Sequence, residues 1–359
     1  MSPAGGGVSN PVKDRCGRCR PKLLAGMLVL LALLLVAAVG SAMSGAVRIP
    51  LDAMPALLGG ASDSVSTSSA AGHPEYLLWE GVLLDIRLPR ILLAGATGAG
   101  LAICGVALQS LFRNPLVSPK VLGLSSGSAL GGALAILMGL SGVLLMGATF
   151  VSAFGALFLV VLISNIAGRS LMTIVLAGIV IDALFAAGVS LVQYAADPET
   201  SLPAIVFWLM GSFAAASWDK LAQVAPALVI GILLLNRLRF RIAVLAMGDD
   251  EAQSFGINVP HSRMVVFMLI SVVIGACVTV SGVVGWVGLV IPHIARMFVG
   301  EDHGRLYPTC LLLGASFMIL TDTLARSLTS AEIPLGVLTS LIGAPVFVYL
   351  LCARRRRWL

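Results

Sequence analysis

Long apolar stretches separated by short polar connections dominate this chain. A helix needs roughly 20 residues to cross the hydrocarbon core of a bilayer. Runs without Asp, Glu, Lys or Arg reach that length repeatedly, and two are long enough for a hairpin of two helices. The pattern predicts ten spans: Leu23–Val47, Ile91–Phe112, two within Val121–Gly168, Ser170–Ala196, Leu221–Asn236, two within Met264–Ala295, Leu306–Thr321 continued through Asp322 and Arg326, and Ile333–Ala353.

One further uncharged stretch, Thr200–Trp218, contains Pro203 and Gly211. We interpret Leu202–Phe213 as a short helix that enters the membrane surface without crossing it. The alternative is an eleventh span, which would place the two termini on opposite sides of the membrane.

The basic residues distinguish these alternatives, because cytoplasmic loops carry an excess of Lys and Arg. With ten spans, 18 of the 23 basic residues lie on the same side as both termini. The pattern therefore predicts ten spans with both termini in the cytoplasm. The opposite side holds the other five: Arg48, Arg87, Arg90, Lys220 and Arg326.

The composition agrees with a membrane protein. Only 11% of the 359 residues are charged and 58% are hydrophobic, with a mean hydropathy of +1.01. Soluble chains are nearer 25% charged, which excludes an ordinary soluble enzyme, a disordered chain and a nucleic-acid-binding module. We expect a disordered basic cytoplasmic tail over residues 1–22, one ten-span domain over 23–353, and a basic cytoplasmic C-terminus over 354–359. The first span exceeds the apolar region of a signal peptide, so we interpret it as a retained helix.

No catalytic or metal-binding constellation is visible in the sequence. Cys16 and Cys19 form a lone CxxC with no histidine near, and a zinc site needs four ligands. None of the four lysines follows a glycine, so the chain has no phosphate-binding P-loop, and any ATPase is another polypeptide. A secondary transporter is an alternative class, but Asp182 is the only mid-span charge and no convincing repeat is present.

Several motifs in order give the chain a close resemblance to the FecCD-type permease subunits of ABC importers for iron–siderophore chelates, haem and cobalamin. The resemblance covers roughly residues 23 to 353. The motifs are R-L-P-R at Arg87–Arg90, A-x-C-G-V-A-L-Q-S-L-F-R-N-P-L from Ala102, L-G-L-S-S-G from Leu122, F-W-L-M-G-S from Phe207, M-G-D-D-E-A-Q-S-F-G-I-N-V from Met247, V-G-L-V-I-P-H-I-A-R from Val287, D-T-L-A-R from Asp322, and E-I-P-L-G-V-L-T-S-L-I-G-A-P from Glu332.

The resemblance implies the type II ABC importer permease fold, with ten helices in each of two identical subunits and the transport path along their shared axis. It also implies a multi-pass protein of the bacterial inner membrane that is not itself an enzyme. Two ATPase subunits, which bind ATP and Mg, would dock on the cytoplasmic face. A periplasmic or lipid-anchored binding protein would dock outside. The expected cargo is an iron–siderophore chelate, then haem, with cobalamin or an oxyanion such as molybdate as alternatives.

The resemblance also assigns roles to particular residues. A short helix in the loop after span six would transmit closure of the ATPase; acidic residues favour its start and Gly256 its end. Leu202–Phe213 would form an outer gate, and Asp182 is either a pore-lining acid or bonded to a neighbouring helix. Arg87, Arg90 and Arg326 would meet acidic residues of the binding protein, although Arg326 can also pair with Asp322 at i,i+4. The coupling residues are Gly248, Asp249, Asp250, Glu251, Ser254, Phe255 and Gly256, and the gate residues are Phe207, Trp208 and Met210.

Overall fold

The computed structural model describes residues 11–45, 47, 49–50, 57, 76–168, 170–329 and 331–355, and the regular elements in these ranges are all helical. Residues 1–10 of the expected tail and 356–359 of the expected C-terminus lie outside them. The helices are α1 (Pro11–Met43), α2 (Leu88–Leu111), α3 (Leu124–Leu137), α4 (Gly142–Ala167), α5 (Leu171–Ala195), α6 (Ser201–Met210), α7 (Trp218–Arg237), α8 (Arg239–Leu245), α9 (Asp249–Ser254), α10 (Val259–Ser281), α11 (Val287–Val299), α12 (His303–Ser327) and α13 (Leu335–Arg355).

The first helix begins earlier than the hydrophobic pattern predicts. Helix α1 starts at Pro11, so residues 11–22 of the expected disordered tail continue the helix of the first span. The apolar run marks only the part of α1 that is long and apolar enough to enter a membrane, Ala25–Met43.

Seven helices in the described part of the chain are long and apolar enough to cross a membrane. Three predicted spans correspond to shorter apolar helices: α3, α11 and the Leu335–Leu350 part of α13. A helix of 14 residues, such as α3, is only about 21 Å long. The prediction of an all-α integral membrane protein is confirmed, whereas the count of ten spans stays a prediction.

Helix α2 lies at the centre of the bundle, and nearly all of its residues are buried. Its glycines allow neighbouring backbones to approach closely, as is common where helices associate in lipid. A Cβ atom on Gly98 would lie 2.1 Å from the carbonyl oxygen of Gly314 in α12. A Cβ atom on Gly105 would lie 1.9 Å from the carbonyl oxygen of Gly288 in α11. These two crossings fix α11 and α12 against α2.

The start of α2 also differs from the uncharged run that predicts it. A helical turn, Tyr76–Gly81, and a π-helical segment, Val82–Arg87, lead directly into α2. The hydrophobic pattern begins after Arg90 because it treats every arginine as a boundary. Arg87 and Arg90 are nevertheless buried inside the bundle. The helix therefore starts well before the predicted span.

Candidate functional site

The predicted site residues fall into three regions of the bundle. Arg87, Arg90 and Arg326 come together at the start of α2 and the end of α12, which we call the arginine cluster. The 248–256 segment lies near the other end of α2, which is about 36 Å away along a 24-residue helix. The gate residues lie on α6.

Arg90 is the centre of the arginine cluster and binds two carboxylates. Its Nε and Nη2 donate to Asp322 at 2.8 to 3.1 Å, and its Nη1 and Nη2 donate to Glu332 at 2.7 and 2.9 Å. Arg90 and Asp322 are both almost fully buried. The planar guanidinium fork matches each carboxylate, and this geometry satisfies charges that would otherwise be costly to bury.

Arg87 and Arg326 bind backbone carbonyl groups at the end of α1. Arg87 donates to Ala42 and Val47, and Arg326 donates to Ser41 and Ser44. The last carbonyls of a helix lack partners within it, and the negative end of the helix dipole attracts cations. Both arginines therefore cap α1 and tie it to α2 and α12.

A glycine is required where the chain leaves α1. Gly45 has φ +141°, and a Cβ atom there would lie 2.8 Å from Nη2 of Arg87 and 2.9 Å from Nη1 of Arg326. A larger residue would push both guanidinium groups away from the carbonyls they bind.

A proline leaves one carbonyl of the π-helical segment before α2 without its helical partner. In a π helix, each N–H donates to the carbonyl five residues earlier, as Leu88 does to Leu83. Pro89 has no N–H, so the carbonyl of Leu84 lacks that partner. The indole Nε1 of Trp218, at the start of α7, donates to this carbonyl at 2.9 Å. The π-helical segment is thereby linked to α7.

Glu332 is a member of the arginine cluster that the sequence reasoning missed. Its hydrogen bonds from Arg90 hold its pKa below the ordinary value, although partial burial opposes this shift. Ser212, which follows α6, donates to the same carboxylate at 3.4 Å. The available signal was its place in the E-I-P-L motif, on the predicted outer side with the three arginines.

Asp322 contacts Arg326 at 3.8 Å, as the i,i+4 spacing indicates, but it lies closer to Arg90. The guanidinium groups of all three arginines are thus engaged within the chain. Their docking role stays a prediction. The geometry adds a second role, which is to hold α1, α2, α12 and the segment before α13 together.

The predicted coupling segment forms the short helix α9, with the expected ends. Gly256 has φ +74° and donates to Gln253 at 2.8 Å, and Ile257 donates to Ala252 at 3.0 Å. This pair of bonds is the Schellman arrangement that ends a helix at glycine. At the other end, the carboxylate of Glu251 occupies the space where a side chain at Gly248 would be.

Helix α9 has an inner and an outer side. Ala252 is fully buried, whereas Asp250, Glu251, Ser254 and Phe255 are exposed, Phe255 to 68%. An exposed aromatic ring one helical turn after Glu251 suits a protein partner, since aromatic residues are enriched at interfaces. Whether a partner binds there stays a prediction.

Trp208 points away from the face that Phe207 and Met210 share, because residues three apart lie on one side of a helix whereas consecutive residues point about 100° apart. Trp208 packs on α3, where a Cβ atom on Gly132 would lie 2.0 Å from its ring. Phe207 is exposed, to 69%. Met210 lines a groove of about 470 Å³ with Leu209, Val283, Gly336, Val337, Ser340 and Leu341.

Asp182 lies midway along α5 and is half-buried. Its carboxylate accepts a hydrogen bond of 2.8 Å from Ser126, in the first turn of α3. Of the two predicted alternatives, the contact between helices is present in this structure. A lining role for the half-exposed carboxylate is compatible with the same bond and stays a prediction.

A cavity of about 730 Å³ lies between the ends of α2, α11 and α13, near α9. It is lined by Arg113, Asn114, His293, Arg296 and Glu301 among others. Arg296 donates to both Gln109 and Glu301, which holds it against the wall. The described residues contain no group of three or more His, Cys, Asp or Glu side chains placed to hold a metal ion.

Comparison with known proteins identifies a family for nearly the whole chain. Residues 30–353 match the model of the FecCD transport family. The chain is 47% identical over 277 residues to the molybdate import system permease protein MolB of Haemophilus influenzae, covering 77% of this chain and 82% of that protein. It is 39% identical over 349 residues to the hemin transport system permease protein HmuU of Yersinia pestis, covering 95% and 98%.

A solved structure agrees with the fold. A metal-chelate type ABC transporter in an inward-facing conformation superimposes with a TM-score of 0.80 at 40% identity. The match covers 91% of this chain and 98% of that chain. The helical order described above is therefore that of a known permease.

Proposed function

The chain belongs to the FecCD transport family of ABC importer permeases, and from this premise we propose that it is the membrane subunit of an ATP-driven importer of a metal chelate. The observation that carries the proposal is α9, a rigidly capped helix that projects Asp250, Glu251 and Phe255 from the end of the bundle. Such a helix can fit a cleft on an ATPase and move when the ATPase closes. The chain itself supplies the path and not the hydrolysis.

The proposed assembly follows the two ends of the bundle. Two ATPase subunits, holding ATP and Mg, bind the α9 ends of two copies of the chain at the cytoplasmic side of the bacterial inner membrane. A periplasmic or lipid-anchored binding protein delivers cargo at the end that carries the arginine cluster. Both termini then lie in the cytoplasm.

The proposed outer gate is formed by α6 of one copy of the chain and α6 of a second copy. Gly211 has φ +83°, and its carbonyl accepts from Leu335 at 2.9 Å, so the end of α6 is tied to the start of α13. Exposed Phe207 is the gate residue available to a second copy. A cysteine at position 207 should cross-link between copies in one nucleotide state and less in another, whereas labelling that never changes with ATP would contradict a gate.

The proposed cargo is an iron–siderophore chelate, with haem next. A half-buried carboxylate on α5 is compatible with a chelate that presents polar groups around a cation, and it disfavours a small free anion. The specific observation for a second candidate is the 47% identity to a molybdate permease. Cobalamin import by the same architecture is a further alternative.

The test is reconstitution in proteoliposomes with the ATPase and the binding protein. Four cargoes are compared: a ferric siderophore, haem, cobalamin and molybdate. We expect ATP-dependent accumulation of the ferric siderophore and no ATP hydrolysis by the chain alone. Accumulation of molybdate only would replace the chelate by an oxyanion, and failure of the chain to bind any ATPase would overturn the importer assignment.

The two roles of the arginines can be separated in the same system. Replacing Arg87, Arg90 and Arg326 together by Glu should abolish docking if these residues meet the binding protein, and a variant that assembles, binds and transports like the parent would overturn the docking role. If docking is their main role, the variant still assembles with the ATPase but loses affinity for the binding protein at least tenfold. If they mainly hold the helices together, assembly with the ATPase is lost as well.

A further inference from the structure

Asp249, the first residue of α9, keeps 47% of its side chain exposed and binds two arginines of the bundle. Arg263 donates to it with both Nη atoms, at 3.0 and 2.5 Å. Arg113 approaches the same carboxylate at 3.7 Å. One carboxylate thus connects α9 to α10 and to the turn after α2.

The two arginines come from different parts of the bundle. Arg263 lies in the first turns of α10, and only 11% of its side chain is exposed. Arg113 lies in the turn after α2, has a positive φ of 48°, and keeps 44% of its side chain exposed. The bidentate bond to Arg263 is the rigid connection, and the longer contact with Arg113 is the weaker one.

We propose that Asp249 is a positioning residue that transmits movement of α9 to α10 and so changes the position of α10 relative to the end of α2, rather than a residue that touches the ATPase. The inference rests on the proposed function. The exposed side of α9 would bind the ATPase through Asp250, Glu251 and Phe255. Asp249, together with buried Ala252, would couple the other side to the bundle.

In this proposal, the displacement of α9 reaches the bundle through the ion pairs of Asp249. When the ATPase displaces α9, the two bonds to Arg263 carry α10 with it. The ion pair between Asp249 and Arg113 breaks first, or forms again in a new position, because it is long and solvent-exposed. The end of α2, which packs against α11 through Gly105, then changes its position relative to α10.

The test compares Asp249→Asn with a matched control in the complete transporter. Asp302→Asn is the control, because it also removes the charge of an exposed aspartate paired with an arginine on the same end of the bundle, Arg305. The readout is cargo transported per ATP hydrolysed in proteoliposomes. We expect at least a fivefold drop for Asp249→Asn and no change for Asp302→Asn.

A charge exchange separates positioning from a simple loss of structure. The triple variant Asp249→Arg with Arg263→Asp and Arg113→Asp, which reverses every charge of the connection, should recover at least half of the lost ratio. In contrast, Asp250→Asn should weaken ATPase affinity, which a pull-down measures directly. Arg113→Gln, which leaves α9 untouched, should lower the transport ratio without weakening that affinity.

Other outcomes overturn the inference. If Asp249→Asn weakens ATPase affinity as much as Asp250→Asn does, Asp249 belongs to the ATPase contact. If Asp249→Asn and Arg113→Gln both transport with the parental ratio, the connection carries no movement. Failure of the unaltered chain to bind or stimulate the ATPase would instead overturn the proposed function.

Discussion

The two ends of α2 carry ion pairs built from the same residue types in opposite surroundings. In the arginine cluster, the side chains of Arg90 and Asp322 are 7% and 2% exposed. At the other end, Arg113 and Asp249 keep 44% and 47% exposed. Buried charges cannot exchange their partners for water, whereas exposed charges can at little cost.

This difference indicates which end can move. Breaking a buried ion pair leaves a charge in the protein interior without a partner, which is costly. The arginine cluster therefore favours a single arrangement of α1, α2 and α12. The contact of Asp249 with Arg113 has water as an alternative partner and therefore several arrangements of similar free energy. A transporter needs both properties: a rigid body and a segment that responds to its ATPase.

The largest expected effect comes from removing the centre of the buried cluster. Arg90→Ala leaves Asp322 and Glu332 without their main partner, which should lower the free energy of unfolding by about 3 to 5 kcal/mol. Thermal unfolding in detergent measures this loss. Arg90→Lys should recover only part of it, because an ammonium group cannot bind two carboxylates in a bidentate manner.

Arg241, exposed on α8, provides the surface control for this experiment. Arg241→Ala should change stability by less than about 0.5 kcal/mol. If Arg90→Ala is as mild as Arg241→Ala, the cluster is not the rigid end of the molecule.

Two glycines with positive φ sharpen the comparison of the two ends, because an added Cβ atom would meet other atoms at only one of them. Gly45→Ala places a Cβ atom against the guanidinium groups of Arg87 and Arg326, whereas Gly256→Ala meets nothing within 4 Å. Both substitutions carry the backbone cost of a positive φ, about 1 to 2 kcal/mol. Gly45→Ala should cost about 1 kcal/mol more, since it also disturbs the caps of α1.

Denaturation midpoints of the two alanine variants give the difference directly. Equal losses would show that Arg87 and Arg326 adapt freely around Gly45. That result would place the flexibility at the buried end instead.

Much of the fold followed from the hydrophobic pattern. The short helix α6 and the hairpin turn before α4 were predicted, because glycine, proline and apolar length are local signals. The early start of α2 was not, since a charged residue marks a boundary only when it is solvated. Arg87 and Arg90 are bonded inside the bundle, and the sequence contains no local sign of partners found more than 200 residues away, such as Asp322.

The site was predicted unevenly for the same reason. Gly256 and the acidic residues at the start of α9 are local signals for the ends of a helix, so the sequence predicted the helix at its observed position. The different surroundings of Asp249 and Asp250 could not be predicted. They depend on Arg113 and Arg263, which lie near Asp249 only in the folded bundle. Glu332 was missed because its partner Arg90 is equally distant along the chain.

A pH titration tests the partly exposed edge of the arginine cluster. Arg90 lowers the pKa of Glu332, so their interaction stabilises the fold above the ordinary glutamate pKa, about 4.3, and is lost as the pH falls through the lowered value. The unfolding temperature of the parent should therefore fall as the pH decreases below about 4.

Glu332→Gln cannot titrate and should flatten this part of the profile while lowering stability at neutral pH. The slope left in the variant then belongs to other carboxylates. An unchanged slope would show that Glu332 contributes nothing to acid sensitivity and that the cluster is held by Asp322 alone.

The smallest effect is expected at the exposed end, and its salt dependence is the informative quantity. Arg113→Ala removes a contact of 3.7 Å between half-exposed side chains and should cost at most about 1 kcal/mol. Salt screens exposed charges over a distance of about 10 Å at 0.1 M, so the cost should shrink further between about 0.01 M and 1 M salt. The cost of Arg90→Ala should stay nearly constant over the same range, because its carboxylate partner Asp322 is buried. Thermal unfolding of both variants across the salt series therefore compares the two ends in one experiment. A salt-independent loss of several kcal/mol in Arg113→Ala would mean that the α9 end is as rigid as the arginine cluster, and the division of the molecule into a fixed and a movable end would then be wrong.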